Sequence, residues 1–301
     1  MFDTKNVFLG ITPTCWTNDD FPNAGLGDDI PFEQCVDEIA KAGFAGCSIG
    51  HKFPREVETL NHEMQRRQLR VSEPWVSTYF TCDGLEEQTV NDFRTQMEFV
   101  RAVGGRDIGL AELGQAVHTV KDADLHAEKP VFTDEQWNRL VTGLNRLGNM
   151  ATASGARLCY HPHMGTGVQS QDEVTTLLER TNDNVHLLLD TGHLSWAGGK
   201  PMDILTNYAH RIGHVHLKNV RYSVMTKPAL AHASFFDFIK AGIFTVPGDD
   251  GIVDFEAILR QLAQNHYAGW LVVEAEQDPA LAPPLTFAKK ARAYLREVAG
   301  L

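Results

Sequence analysis

The run Val185-His-Leu-Leu-Leu-Asp-Thr-Gly-His193 limits the possible folds more than any other stretch of the chain. Its first half is a short continuous apolar run without alternation, the pattern of a parallel strand buried on both faces. Its second half sets an Asp, a Thr, a Gly and a His in succession. In a (β/α)8 barrel the chemistry sits at the C-terminal ends of the strands, which is where Asp190 and His193 fall. The same signature recurs at Ala156-Arg-Leu-Cys-Tyr-His161-Pro-His163, at Arg211-Ile-Gly-His-Val-His216-Leu-Lys218 and at Gly269-Trp-Leu-Val-Val-Glu274-Ala-Glu276. His161 and Asp190 are 29 residues apart and Asp190 and His216 are 26 apart. Both spacings are close to the roughly 30 residues of a strand–helix–strand unit. The 58 residues from His216 to Glu274 leave room for an extra segment before the last strand.

A length of 301 residues suits one barrel, because α/β barrels commonly run past about 200 residues as a single domain. The formal net charge of −12 disfavours nucleic acid, whose binders carry a basic footprint. Five scattered cysteines, without a CxxC pair, indicate neither a disulfide framework nor a zinc ribbon, and a reducing cytoplasm is expected. The first residues include Asp3 and Lys5 and lack an apolar core, so no signal peptide is expected. No stretch reaches the roughly 18 apolar residues of a membrane helix.

In chain order, Val7–Pro13 reads as strand 1, followed by a polar loop over residues 14–30. Pro31 opens helix 1, with Phe32, Cys35, Val36 and Ile39 at helical spacing and a stop at Gly43. Residues 45–50 read as strand 2, residues 55–68 as helix 2, residues 69–80 as the stretch holding strand 3, residues 86–103 as helix 3 and residues 107–112 as strand 4. The long polar loop over 114–131 is of a length that is usually functional or mobile. Thr133-Asp-Glu-Gln136 and Ser170-Gln-Asp-Glu173 are capping boxes that open helices 4 and 5. Strands 5, 6 and 7 are the three runs quoted above, with a helix through residues 204–208. A helical 235–239, a loop at 246–252, a helix capped by Asp254, strand 8 and a helix over 284–298 complete the chain. Eight strands alternating with helices imply a parallel α/β fold, either a closed barrel or an open doubly wound sheet. Polar residues ending so many strands favour the barrel, and the lack of a GxGxxG after strand 1 argues against a dinucleotide-binding sheet.

Asp, His and Glu converging at strand ends suit a divalent metal, Mn²⁺ or Co²⁺ first, with Mg²⁺, Fe²⁺ and Zn²⁺ also compatible. The expected ligands are His161, Asp190, His216 and Glu274. A lone histidine in a strand is more often structural, and Asp190 alone could merely cap a helix; four strand ends together shift the balance toward a metal. His163 and His193 are expected beside the metal or against substrate. Glu276 points to the same side as Glu274. Lys218, two residues after His216, is placed to stabilise an enolate oxygen or donate a proton, against the plain alternative of a solvated lysine. Trp75 and Tyr79 are candidate pocket walls. Glu112 is a candidate for substrate or proton contact, against the alternative of a strand-end carboxylate paired with a lysine.

Beyond these single positions, the chain resembles the sugar-phosphate isomerase/epimerase superfamily, the xylose isomerase-like TIM barrels, and within it the inosose dehydratase family over nearly its whole length. The motifs that carry the resemblance include Cys15-Trp-Thr-Asn-Asp-Asp20, Lys52-Phe-Pro-Arg55, Trp75-Val-Ser-Thr-Tyr-Phe80, His161-Pro-His-Met-Gly-Thr-Gly167, Leu189-Asp-Thr-Gly-His193, His214-Val-His-Leu-Lys218 and Val273-Glu-Ala-Glu-Gln-Asp-Pro279. The resemblance implies a (β/α)8 TIM barrel over residues 1–301 and a metal-dependent hydro-lyase. Its reaction would convert scyllo-inosose to a trihydroxycyclohexane-1,2-dione in myo-inositol catabolism. Lys218, His193, Glu276 and Glu112 would then be catalytic, and Trp75, Tyr79, His163 and Lys52 would meet substrate. The implied partner is a small cyclic polyol ketone, with no nucleic acid and no membrane; a homo-oligomer is compatible. The superfamily usually has Glu where this chain has His161, so either His161 or His163 is the strand-5 ligand. Ser48 stands where an acid is expected, and Asp249-Asp250 lengthens its loop by one residue. An aldose–ketose isomerase or epimerase is the nearer rival, and an endonuclease-like barrel acting on damaged DNA the distant one.

Overall fold

The apolar runs form one curled parallel sheet. The computed structural model describes residue 2 and residues 5–301. Its strands in chain order are β1 Val7–Ile11, β2 Gly46–Cys47, β3 Arg70–Val71, β4 Trp75–Thr78, β5 Asp107–Glu112, β6 Arg157–Tyr160, β7 Val185–Asp190, β8 Ile212–Leu217, β9 Asn219–Val220, β10 Phe244–Thr245 and β11 Gly269–Val273. The helices are α1 Phe32–Ala42, α2 Val57–Gln65, α3 Glu86–Ala102, α4 Asp134–Ala153, α5 Gln171–Arg180, α6 Thr191–Trp196, α7 Pro201–Asn207, α8 Tyr222–Met225, α9 Phe235–Lys240, α10 Phe255–Gln264 and α11 Pro284–Ala299. Nine strands pair in the order β3-β2-β1-β11-β8-β7-β6-β5-β4, and β9 and β10 form a separate antiparallel pair in the extra segment.

The two edges of the nine-stranded sheet, β3 and β4, are separated only by Ser72, Glu73 and Pro74. They are two halves of the strand expected within residues 69–80, and the sheet closes through the chain itself. Pro74 lacks the N–H a continuous strand would need. The carbonyls at the break still serve both neighbours: Ile49 N–H donates to Glu73 O at 3.0 Å and Gly109 N–H to Pro74 O at 3.1 Å. On the far side of the barrel, Asp190 pairs directly with His216, and His216 with Val272. A register shift between Leu187 and Leu188 takes up Gly213 as the extra residue of β8. A Cβ there would come within 2.8 Å of His186 Cβ, which explains a glycine at the bulge.

The helix signals in the sequence are realised. Phe32, Cys35, Val36 and Ile39 are buried, and Gly43 caps α1 in the left-handed region at φ 88°. Both expected capping boxes form, and Ser234 with Asp237 adds a third at α9. A short helix absent from the sequence reading, α6, starts directly at the end of β7 because Asp190 caps it. In the extra segment Phe235, Phe238 and Phe244 are buried and pack with Trp196 of α6. All five cysteines are free, and no helix among the described residues is long and apolar enough to cross a membrane.

The seam makes β2 intolerant of any side chain at Gly46. A Cβ there would lie 2.1 Å from the carbonyl oxygen of Arg70, a backbone atom that cannot swing aside. Gly46→Ala is expected to lower unfolding free energy by about 1–3 kcal/mol or more, the usual range for overpacking. Chemical denaturation measures this, and unchanged stability would show that the seam is looser than it stands here.

Candidate metal centre

Each strand end contributes one donor because β6, β7, β8 and β11 are neighbours in register. His161 follows β6 by one residue, Asp190 ends β7, His216 lies inside β8 and Glu274 follows β11 by one residue. His161 Nε2 is 3.3 Å and His216 Nδ1 is 3.7 Å from Asp190 Oδ2. Glu274 Oε2 forms an ion pair with His216 Nδ1. Asp190 divides its oxygens. Oδ1 accepts the Gly192 and His193 N–H groups at 2.8 Å each, the cap of α6, while Oδ2 faces the two imidazoles.

These residues fit a divalent cation. His161, Asp190 and His216 offer atoms all within 4.8 Å of one another, and so do Asp190, His193 and Glu274. His161 Nδ1 is buried without a hydrogen-bond partner. Asp190, Glu274 and Glu276 together carry three negative charges against the one positive charge of Lys218. The group is net negative, as a cation site requires, and mixed carboxylate–imidazole donors suit the transition metals. Burial pulls the His161 pKa down to about 4 against the opposing Asp190 carboxylate, so the ring is a neutral donor at neutral pH. Burial also opposes charge on His216, but Glu274, Asp190 and Glu73 outweigh it and raise its pKa well above the ordinary value.

Lys218 sits behind this group rather than on the cavity wall. Its Nζ is fully buried, 2.8 Å from Glu276 Oε2, 3.0 Å from Glu274 Oε1, 3.4 Å from Asp190 Oδ2 and 2.8 Å from His193 Nε2. Burial disfavours the ammonium, yet the three carboxylates raise its pKa above the usual lysine range. The lysine stem passes over Gly192, where a Cβ would meet Lys218 Cγ at 2.4 Å. So the glycine of Asp-Thr-Gly-His makes room for the counter-ion. His163, His193 and Glu276 form a further buried triad, with the two rings 3.8 Å apart and their Nε2 atoms 3.9 and 3.7 Å from Glu276 Oε1.

A cavity of about 340 Å³ opens above the group. Its wall includes His161, His163, His216, Glu274, Glu276 and Trp75, whose ring meets His161 edge-on at 5.6 Å. Asp190, His193 and Lys218 lie beneath the wall, and three expected site residues belong neither to the buried group nor to the cavity. Glu112 is fully buried and accepts from Thr78, Phe80, Thr81 and Gly114, so it straps two loops together instead of facing substrate. Lys52 Nζ donates to the carbonyls of Gly27, Asp28 and Ile30 and braces that loop. Tyr79 is half-buried and does not line the cavity. Residues outside the expected set also line it, among them Glu73, Asp20, Arg55 and His118. Glu73 is the acid at the end of Arg70-Val-Ser-Glu73, the strand-end rule that picked out the others. His118 comes from the long loop at 114–131 and stands 3.8 Å from Asp20.

Replacing Lys218 with Met would leave three buried carboxylates without their cation. Breaking a buried ion pair typically costs about 3–5 kcal/mol, and Lys218→Met should lose about that much in equilibrium unfolding. Wild-type stability in this variant would mean that the carboxylates find water or protons instead.

Residues 36–298 match the xylose isomerase-like TIM barrel family. The inosose dehydratase of Geobacillus thermodenitrificans (strain NG80-2) is 44% identical over 302 residues, covering 100% of both chains. Inosose dehydratase 1 of Bacillus cereus (strain ZK / E33L) is 45% identical over 302 residues, again covering 100% of both. Among solved structures, an IolI protein with a bound zinc atom aligns with a TM-score of 0.71 at 15% identity, covering 97% of this chain and 98% of that one, a likeness of fold. Matched from end to end by these enzymes, the chain belongs to the inosose dehydratase family of xylose isomerase-like TIM barrels.

Proposed function

We propose that this protein removes water from an inosose, converting scyllo-inosose (2-keto-myo-inositol) to a trihydroxycyclohexane-1,2-dione. The observation that carries the reading is full-length identity of 44–45% to inosose dehydratases in a chain whose strand ends gather His161, Asp190, His216 and Glu274. These four residues would hold Mn²⁺ or Co²⁺. When bound, such a cation polarises the ketone and stabilises charge that builds on its oxygen. The cavity volume of about 340 Å³ falls at the small end of small-molecule sites, and its polar wall suits a ring of hydroxyl groups.

The proton α to the ketone needs an acceptor on that wall. His163 Nδ1–H donates to the Met164 carbonyl at 2.8 Å, which leaves its Nε2 with a free lone pair. Glu276 Oε1, 3.9 Å from that nitrogen, supplies the negative charge that favours the imidazolium once the proton arrives. The proton held at His163 Nε2 is then handed to the hydroxyl on the next carbon, whose C–O bond breaks as it leaves as water and the carbon–carbon double bond forms. Trp75, half-exposed at the mouth of the cavity, would cover one face of the ring.

The test supplies purified protein with Mn²⁺ or Co²⁺, adds scyllo-inosose and identifies the product by mass. Loss of 18 mass units, abolished together with metal content in folded Asp190→Ala and Glu274→Ala, is expected. A product of unchanged mass would make the protein an isomerase or epimerase, and full metal content in both variants would remove those ligands from the centre.

A further inference from the structure

The barrel interior contains a line of charge that the metal centre alone does not explain. His216 Nε2 is 3.2 Å from Glu73 Oε1. The other oxygen of Glu73 lies 3.2 Å from His214 Nε2. His214 Nδ1 is 3.1 Å from Asp107 Oδ2, and Asp107 receives Arg157 Nε at 2.8 Å and Nη2 at 2.9 Å. Asp107 and Arg157 are the first residues of β5 and β6, at the opposite end of the strands from the cavity. The line therefore runs the depth of a barrel whose core is ordinarily filled by branched apolar side chains. Its charges alternate in sign from the guanidinium to Glu73. Glu73, His214 and Asp107 are almost wholly buried.

We propose that Glu73, held charged by His214, Asp107 and Arg157, is the positioning residue that orients the His216 imidazole; this rests on His216 being a metal ligand. An ionised carboxylate only accepts, so His216 presents N–H at Nε2 and leaves Nδ1, the nitrogen facing Asp190 and Glu274, as the donor. Glu73 is itself fixed. Its carbonyl is pinned by Ile49 N–H, and the rigid Pro74 follows it at the seam of the barrel. A lone buried carboxylate would be too costly to keep ionised, and the three partners behind it supply the compensation. The spacing of His214-Val-His216 acquires a meaning: two residues on one face of β8, one turned to the metal and the other to the residue that steers it.

The experiment is a double-mutant cycle on metal-free protein, with Co²⁺ dissociation constants measured by calorimetry and the visible spectrum of bound Co²⁺ recorded. Glu73→Gln should weaken Co²⁺ binding about 10–100-fold, the usual effect of losing the group that orients a ligating histidine, and should shift the spectrum. In a His216→Gln background, where His161, Asp190 and Glu274 remain, the same substitution should have no further effect. Equal losses in both backgrounds, or wild-type affinity in Glu73→Gln, would overturn the proposal. If Glu73→Gln does not fold, Asp107→Asn replaces it: a smaller loss that vanishes in the His216→Gln background supports the line, and an unchanged affinity overturns it. Wild-type Co²⁺ affinity in His216→Gln alone would instead remove His216 from the metal centre, a separate failure.

Discussion

Asp190, Glu274 and Glu276 are buried together, and no fold can hold three carboxylates out of water without positive charge beside them. Lys218 provides it from behind, and the site is otherwise arranged around that fact. The glycine at 192 clears a path for the lysine stem, and the aromatic ring of Phe244 lies 4.5 Å from its ammonium. One lysine faces the three carboxylates from behind, and the His216 imidazole, held toward its charged form by Glu274 and Asp190, meets them on the side that faces the cavity. The group stays net negative, and a cation binding only the folded state would stabilise the protein further by mass action.

The strand ends do two jobs each. Asp190 terminates β7, caps α6 with one oxygen and turns the other toward the imidazoles. The plain reading of this residue as a helix cap and the chemical reading as a ligand are therefore compatible, because a carboxylate has two oxygens. The same economy holds on β8, whose two histidines face inward, share Glu73 and use their other nitrogens on different partners.

Much of this was legible in the sequence. The β5 boundaries, the two capping boxes and the gathering of eight charged or imidazole side chains follow from short apolar runs with polar ends, a pattern set by local chemistry. What the sequence hid was direction. Glu112 ends a strand as Asp190 does, yet it turns toward the loops at residues 80–81 and 114, because its strand neighbour Thr78 and their backbone amides face it. Lys52 belongs to a recognisable motif but reaches across to three carbonyls of the loop at residues 14–30. Lys218 was legible as a neighbour of the candidate metal ligands, though not as the charge beneath them. Glu73 escaped notice because Pro74 breaks its strand and hides the apolar run that marked the other ends.

The break at residues 72–74 also fixes a distance by covalent bonds. In most sheet seams the two edges meet through hydrogen bonds, which can slide by a pair of residues and re-form. Here the edges are successive stretches of one chain, so one half cannot slide without the other unless residues are gained or lost between Val71 and Trp75. Glu73 is thereby tied to two ladders at once, β2 with β3 and β4 with β5, and its height cannot shift unless both give way. Loops on the helical side can lengthen during descent with little penalty. At this seam a single inserted or deleted residue would put one of the two ladders, or Glu73 itself, out of register.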